Sequence, residues 1–345
     1  MRLKVVIGVS IAIVCTVATV WFFIQTQSVV SKFLTEYTNA QPSEQETVAT
    51  HYLERMDLST MLGALESKYK NSECHVQAHP VGRAVYKKTL NFSAALAQCG
   101  KGCNDGCVHG VFMGMFSTDS DTLGGVINEE DSDEYIAHVR AEAKTICQRP
   151  EVEAVVQSTF CVHGLGHVFA YVSDYNLPKA IESCDVFERE DIRRVCAGGV
   201  FMEYSTYEPK YDELRRKELH LCDTYPNYPM HCYRYIAKHS IFAWGSARSA
   251  IHACEVLEQR EQRACIAGIA FAMTMPPMLA TDTGLDFLCT VLPMQQQRAW
   301  CEYGALLKVA NNIGDGSYVA CDEMAEKYRT RCRNMVDENR ALSVE

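Results

Sequence analysis

Histidine offers the most chemistry in this chain, and its histidines are not evenly spread. Five of the 11 fall in three short segments of the first half. His75 and His79 follow Cys74, His109 follows Cys107 by two residues, and His163 and His167 follow Cys161. His75 and His79 are four apart, as are His163 and His167, so on helices each pair shares a face. Two imidazoles on one face, with a third from a neighbouring helix, are a donor set for Zn, Cu or Fe. Glu203, seven residues after Cys196, stands two turns along the corresponding segment as a ligand or general base. His109 and His163 hold the same position after their cysteines, with Gly110 and Gly164 beside them. A stacked repeat would bring all six candidates to one wall. The competing reading is that these histidines are structural and bond the backbone of a neighbouring element. Pro80, directly after His79, is expected to bend or interrupt its helix.

Other signals are weaker. Arg83 suits an acidic ligand or a buried ion pair. His231 and His239 flank Cys232 and read as structural. Phe112, Met113, Met115 and Phe116, like Phe271, Met273 and Met275, read as packing. Asn91, Phe92 and Ser93 match a glycosylation acceptor, a short pattern that is common by chance. No nucleophile elbow, phosphate loop, dinucleotide fingerprint or haem attachment motif is present.

The elements that would position these groups are marked by cysteine. Six pairs recur: Cys147 and Cys161, Cys184 and Cys196, Cys222 and Cys232, Cys254 and Cys265, Cys289 and Cys301, Cys321 and Cys332. Partners lie 10 to 14 residues apart, and first members recur every 32 to 38. An arginine precedes the second cysteine by two or three residues (Arg193 and Arg194, Arg263, Arg298, Arg329). A glycine follows by three (Gly110, Gly164, Gly199, Gly268, Gly304). The composition is helix-rich and strand-like alternation is scarce. The period therefore predicts an all-α fold of αα-hairpins. One helix ends near the first cysteine and the next carries the second, with a disulfide stapling the corner. Such short loops gain about 3 kcal/mol each in the chain-entropy account. Stacked hairpins would make an α-solenoid; a compact bundle with irregular disulfides is the alternative. The first unit departs from the period. By analogy Cys99 should bond Cys107, leaving Cys74 for Cys103, but four cysteines allow three pairings.

From Cys74 to Cys332 the period and disulfide placement resemble the cysteine-rich Sel1-like and tetratricopeptide-like α-solenoids of exported bacterial proteins. The resemblance is one of architecture. It implies a binding surface and carries over no catalytic residue.

The ends and the charge place the chain. Val5 to Ile24 is a predominantly apolar run of 20 residues without charge, which as a helix spans about 30 Å. Arg2 and Lys4 precede it, so residues 1–4 are expected in the cytoplasm and the body outside. A cleaved signal peptide is the rival, but Trp21, Phe22 and Phe23 stand where its small-residue site should be. Residues 25–46 read as a stalk, and 47–345 as the extracytoplasmic repeat domain. Of 17 cysteines, Cys15 lies within the anchor, leaving an even number that suits an oxidising compartment. The net charge is −10, or −12 without Arg2 and Lys4, which argues against nucleic acid as a partner and against adhesion to anionic lipid beyond the anchor. Two function classes survive. One is an anchored helical-repeat scaffold for an envelope protein or peptide; the other is an exported metal-binding protein or metalloenzyme.

Overall fold

The computed structural model describes residues 28–69, 72–100, 102–122, 129–154, 156, 158–206, 222, 225, 227–310 and 316–344. The expected anchor over 5–24, with Cys15, lies outside the described residues. Among those described, no helix is long and apolar enough to cross a membrane. Their regular elements are all helical, with no strand. The chain divides into two units, Met1–Ile127 with Arg149–Val156, and Asn128–Gln148 with Gln157–Glu345.

The first unit contains α1 (Gln45–Tyr52), α2 (Leu58–Lys68), α3 (Ser72–Thr89), α4 (Phe92–Cys99), α5 (Gly106–Thr122) and the short helix Pro150–Glu153. A further helix covers 28–39. It lies in the stretch expected to be a stalk, and that expectation needs correcting from residue 28 onward. Phe33 and Tyr37 are fully buried, the Phe33 ring 5.1 Å from Tyr37 and 5.4 Å from Tyr52. The Tyr37 hydroxyl donates to Gln77 O at 2.6 Å on α3. The polar residues between these aromatics hide a core-facing pair at helical spacing.

Local chemistry sets the helix starts. Asp57 caps α2 by accepting from Thr60 N at 2.9 Å. Hydrogen bonds from Ser59 and Thr60 hold its carboxyl down to about 2. Asn91 caps α4 through Ala94 N, a structural use of the residue in the glycosylation-like triplet. Helix α3 continues through Pro80 without interruption. Arg83 forms an ion pair, one of its two readings, though only a half-buried one, donating to Glu46 at 2.7 Å, with Lys87 at 2.9 Å on the same carboxylate. Burial pushes the Glu46 carboxyl up, but Arg83 and Lys87 together outweigh it and hold it below the usual range.

The crossing of α3 and α5 is built on glycine. A Cβ on Gly82 would lie 2.0 Å from Cys107 O, and one on Gly110 would lie 2.2 Å from His79 O. Only hydrogen in place of a side chain lets two helix backbones come this near.

The second unit repeats one design. Its helices are α6 (Glu129–Ile146), α7 (Ser158–Val172), α8 (Leu177–Ser183), α9 (Glu190–Thr206), α10 (Pro229–Trp244), α11 (Ala247–Ala253), α12 (Gln259–Met273), α13 (Asp286–Cys289), α14 (Gln295–Ala310), α15 (Gly316–Asp322) and α16 (Glu326–Val344). Short α8 and α11 each run into a 3₁₀ turn that begins at the first cysteine, Cys184–Val186 and Cys254–Val256. The long helix that follows carries the second cysteine. The recurring arginine closes this corner. Arg193 donates to Phe187 O and Glu188 O, Arg298 to Leu292 O and Pro293 O, and Arg329 to Met324 O. Carbonyls of the link that the helices leave over thus find a charged donor. The recurring glycine again permits close crossings: a Cβ on Gly199 would lie 2.0 Å from His163 O, and one on Gly304 would lie 2.1 Å from Ala267 O.

Eight disulfides staple the chain, with the pairing that the spacing suggests. Six bridge the periodic pairs, at Cα–Cα distances of 5.6 to 5.8 Å. The first unit holds Cys74–Cys103 and Cys99–Cys107.

Candidate metal centre

The six candidates divide between the units: His75, His79 and His109 in the first, and His163, His167 and Glu203 in the second. The first three come together. His75 and His79 stand one turn apart on α3, their ring centroids separated by 4.9 Å. His109 projects from the first turn of α5, 4.8 Å from the His75 ring and 6.1 Å from the His79 ring. One nitrogen from each lies within 4.8 Å of the others. All three are buried, at 6, 2 and 0 % exposure. The glycine crossing produces this convergence, since Gly110 follows His109 and faces the carbonyl of His79.

The hydrogen bonds fix the chemistry at His75. Its Nδ1 lies 2.7 Å from Asn104 O. A carbonyl only accepts, so Nδ1 carries the proton and Nε2 presents a lone pair. His109 Nδ1 stands 3.2 Å from that lone pair. Two ligands each about 2.0–2.1 Å from a tetrahedral ion are themselves roughly 3.3 Å apart. The His75–His109 separation thus matches an edge of such a shell, and a His79 nitrogen lies within 4.8 Å of both. The outer nitrogen of His75 already has the carbonyl partner that ligand histidines use to fix their orientation.

The loop that presents Asn104 is unusual. Cys103, Asn104 and Asp105 have φ values of 51°, 51° and 62°, three consecutive non-glycine residues in the left-handed region. Such a run persists only where its surroundings over-determine it. Here both disulfides of the unit close on it. Cys103 bonds Cys74, next to His75, and Cys107, two residues before His109, bonds Cys99. Glu66 accepts from Cys103 N at 2.7 Å, and a Cβ on Gly106 would lie 2.1 Å from His75 O.

In the second unit, His163 and His167 stack one turn apart on α7, at 4.9 Å. His167 is fully buried, and its Nδ1 is 2.9 Å from Glu203 Oε2 on α9. The Tyr175 hydroxyl donates to Glu203 Oε1 at 3.4 Å. Glu203 was expected as a ligand or general base. Its carboxylate lies against His167, and among the described residues it joins no three-ligand set with His163 and His167. The part of Tyr175 had no signal in the sequence beyond its place just after the helix. His231 is partly buried, and burial, with Arg234 and Arg194 nearby, pushes it down to about 3, which fits a structural histidine. The His239 side chain lies outside the described residues. Phe112, Met113, Phe116 and Phe271 are buried packing residues, whereas Met275 is exposed.

The chain matches no protein-family model, no curated protein and no solved structure.

Proposed function

We propose that this is an exported, membrane-anchored helical-repeat protein that holds a transition metal ion through His75, His79 and His109. The observation that carries the reading is the His75–His109 pair. Its two nitrogens stand at ligand–ligand distance, with the outer nitrogen of His75 fixed on Asn104 O. Three neutral imidazoles suit Zn²⁺ or Cu²⁺ better than Fe²⁺, which binds nitrogen donors more weakly. Export is supported by eight disulfides, which persist in an oxidising compartment. The anchor is Val5 to Ile24, on the strength of its length and its basic flank. Within each unit the stapled hairpins stack as in an α-solenoid, and their surface docks an envelope protein or peptide.

The test is elemental analysis of the full chain, purified in detergent without reductant and dialysed against Zn²⁺ or Cu²⁺. At least one ion per chain should remain. A variant carrying His75→Ala and His109→Ala should lose that ion while keeping its helical circular dichroism. Equal loading of the two proteins contradicts the reading.

A further inference from the structure

The second unit contains a group that the metal reading leaves unused. Arg234 on α10 lies with its Cζ 3.7 Å from the centre of the Phe271 ring on α12. Lys308 on α14 brings its Nζ to 5.0 Å from the same ring. The ring is buried, at 2 % exposure, and both cations are partly buried. Tyr235 adds a second ring, 4.8 Å from the Arg234 guanidinium.

Glycine again explains the convergence. A Cβ on Gly268 would lie 2.8 Å from Arg234 N, and one on Gly304 would lie 2.1 Å from Ala267 O. The backbones of α10, α12 and α14 therefore cross closely in sequence. Phe271 stands one turn beyond Gly268, and Lys308 one turn beyond Gly304. Arg234 from α10 and Lys308 from α14 thus both approach the Phe271 ring on α12.

An aromatic ring attracts a cation and can take one on each face, but two positive charges on one ring still repel each other in a site that water only partly reaches. Among the described residues, neither Arg234 nor Lys308 has a carboxylate partner. Burial and then the charge of Arg234 push Lys308 down to about 8. Burial also lowers Arg234. A pair of cations held together without a counter-charge needs an anion from outside.

The geometry points to a binding site for a small dianionic oxyanion of the phosphate class, held by Arg234 and Lys308 beside Phe271. The guanidinium offers a planar fork to two oxygens, and the ammonium adds a point charge to a third. A dianion neutralises both cations, whereas a monocarboxylate leaves one uncompensated. The site shares no residue with the histidines of the first unit.

The experiment is calorimetric titration of the full chain in detergent at low ionic strength, with inorganic phosphate as the probe and acetate as comparator. Phosphate should bind saturably and at least tenfold more tightly than acetate. Arg234→Gln and Lys308→Met should each weaken phosphate at least tenfold. Arg263→Gln, a change at the more distant Arg263–Tyr303 contact, should leave phosphate binding unchanged. Thermal melting separates a binding role from a structural one. In phosphate-free buffer Lys308→Met should melt above the wild type, because a repelling charge has gone, and phosphate should raise the wild type but not Lys308→Met. Absence of saturable phosphate binding, acetate binding of equal strength, or equal weakening by Arg263→Gln overturns the proposal. So does a Lys308→Met protein that melts lower yet still responds to phosphate.

Discussion

The two units use the same parts in different ways. In the second, the disulfides at Cys184, Cys254, Cys289 and Cys321 each staple one corner between a short helix and a long one, and in three of these corners an arginine closes the carbonyls of the link. The same corner can be repeated down the chain because it serves only to hold helices together. In the first unit, two disulfides converge on one loop, which runs through three left-handed residues to aim the carbonyl of Asn104 at His75. This departure from the period coincides with three buried imidazoles from two helices. The irregular cysteines of the first unit thus hold the loop and the helix start from which Asn104 and His109 reach His75.

Disulfide removal should give the largest contrast. Changing Cys74 and Cys103 to Ser should cost about 2–5 kcal/mol of stability and release the loop that orients His75. The same change at Cys254 and Cys265 should cost a similar amount, because it also frees a covalently closed loop. Only the first should lower metal affinity, by more than tenfold. Denaturant melts and metal competition on both variants check this, and equal metal affinity would remove the distinction between the units.

A smaller contrast concerns the helix crossings. Gly110→Ala puts a methyl 2.2 Å from His79 O, so α3 and α5 must part. The expected loss is about 1–3 kcal/mol, the usual range for overpacking. Because His109 moves with α5, metal affinity should fall with it. Gly304→Ala meets a comparable clash against Ala267 O and should cost a similar amount of stability, with metal affinity unchanged. A Gly110→Ala protein that binds metal normally would show that the crossing does not set the site.

Much of this was legible in the sequence, and the rest was hidden for identifiable reasons. The spacing of Cys184 and Cys196, or of Cys254 and Cys265, implies a stapled corner because a short link can close only one way between antiparallel helices. His75 and His79 advertise a shared face through their separation of four. Asn104 could not be found in this way, because its part is played by a backbone carbonyl, which has no residue signature. Glu203 could be picked out as a buried acid only once its contact with His167 was known; its spacing alone also fits a ligand. Phe33 and Tyr37 were masked by the polar residues around them, although their separation of four is the helical signal. The recurring arginine was visible as a pattern, but its purpose depends on the carbonyls left open by the 3₁₀ turn.

The central claim is that His75, His79 and His109 act together on one ion. X-ray absorption at the metal edge tests it most directly, on the full chain loaded with Zn²⁺ or Cu²⁺ and on His79→Ala loaded in the same way. The account predicts a nitrogen shell at about 2.0–2.1 Å. It also predicts imidazole scattering from at least three rings in the wild type, and one ring fewer in the variant. A shell of oxygen or sulfur, or an imidazole count that His79→Ala leaves unchanged, would contradict it.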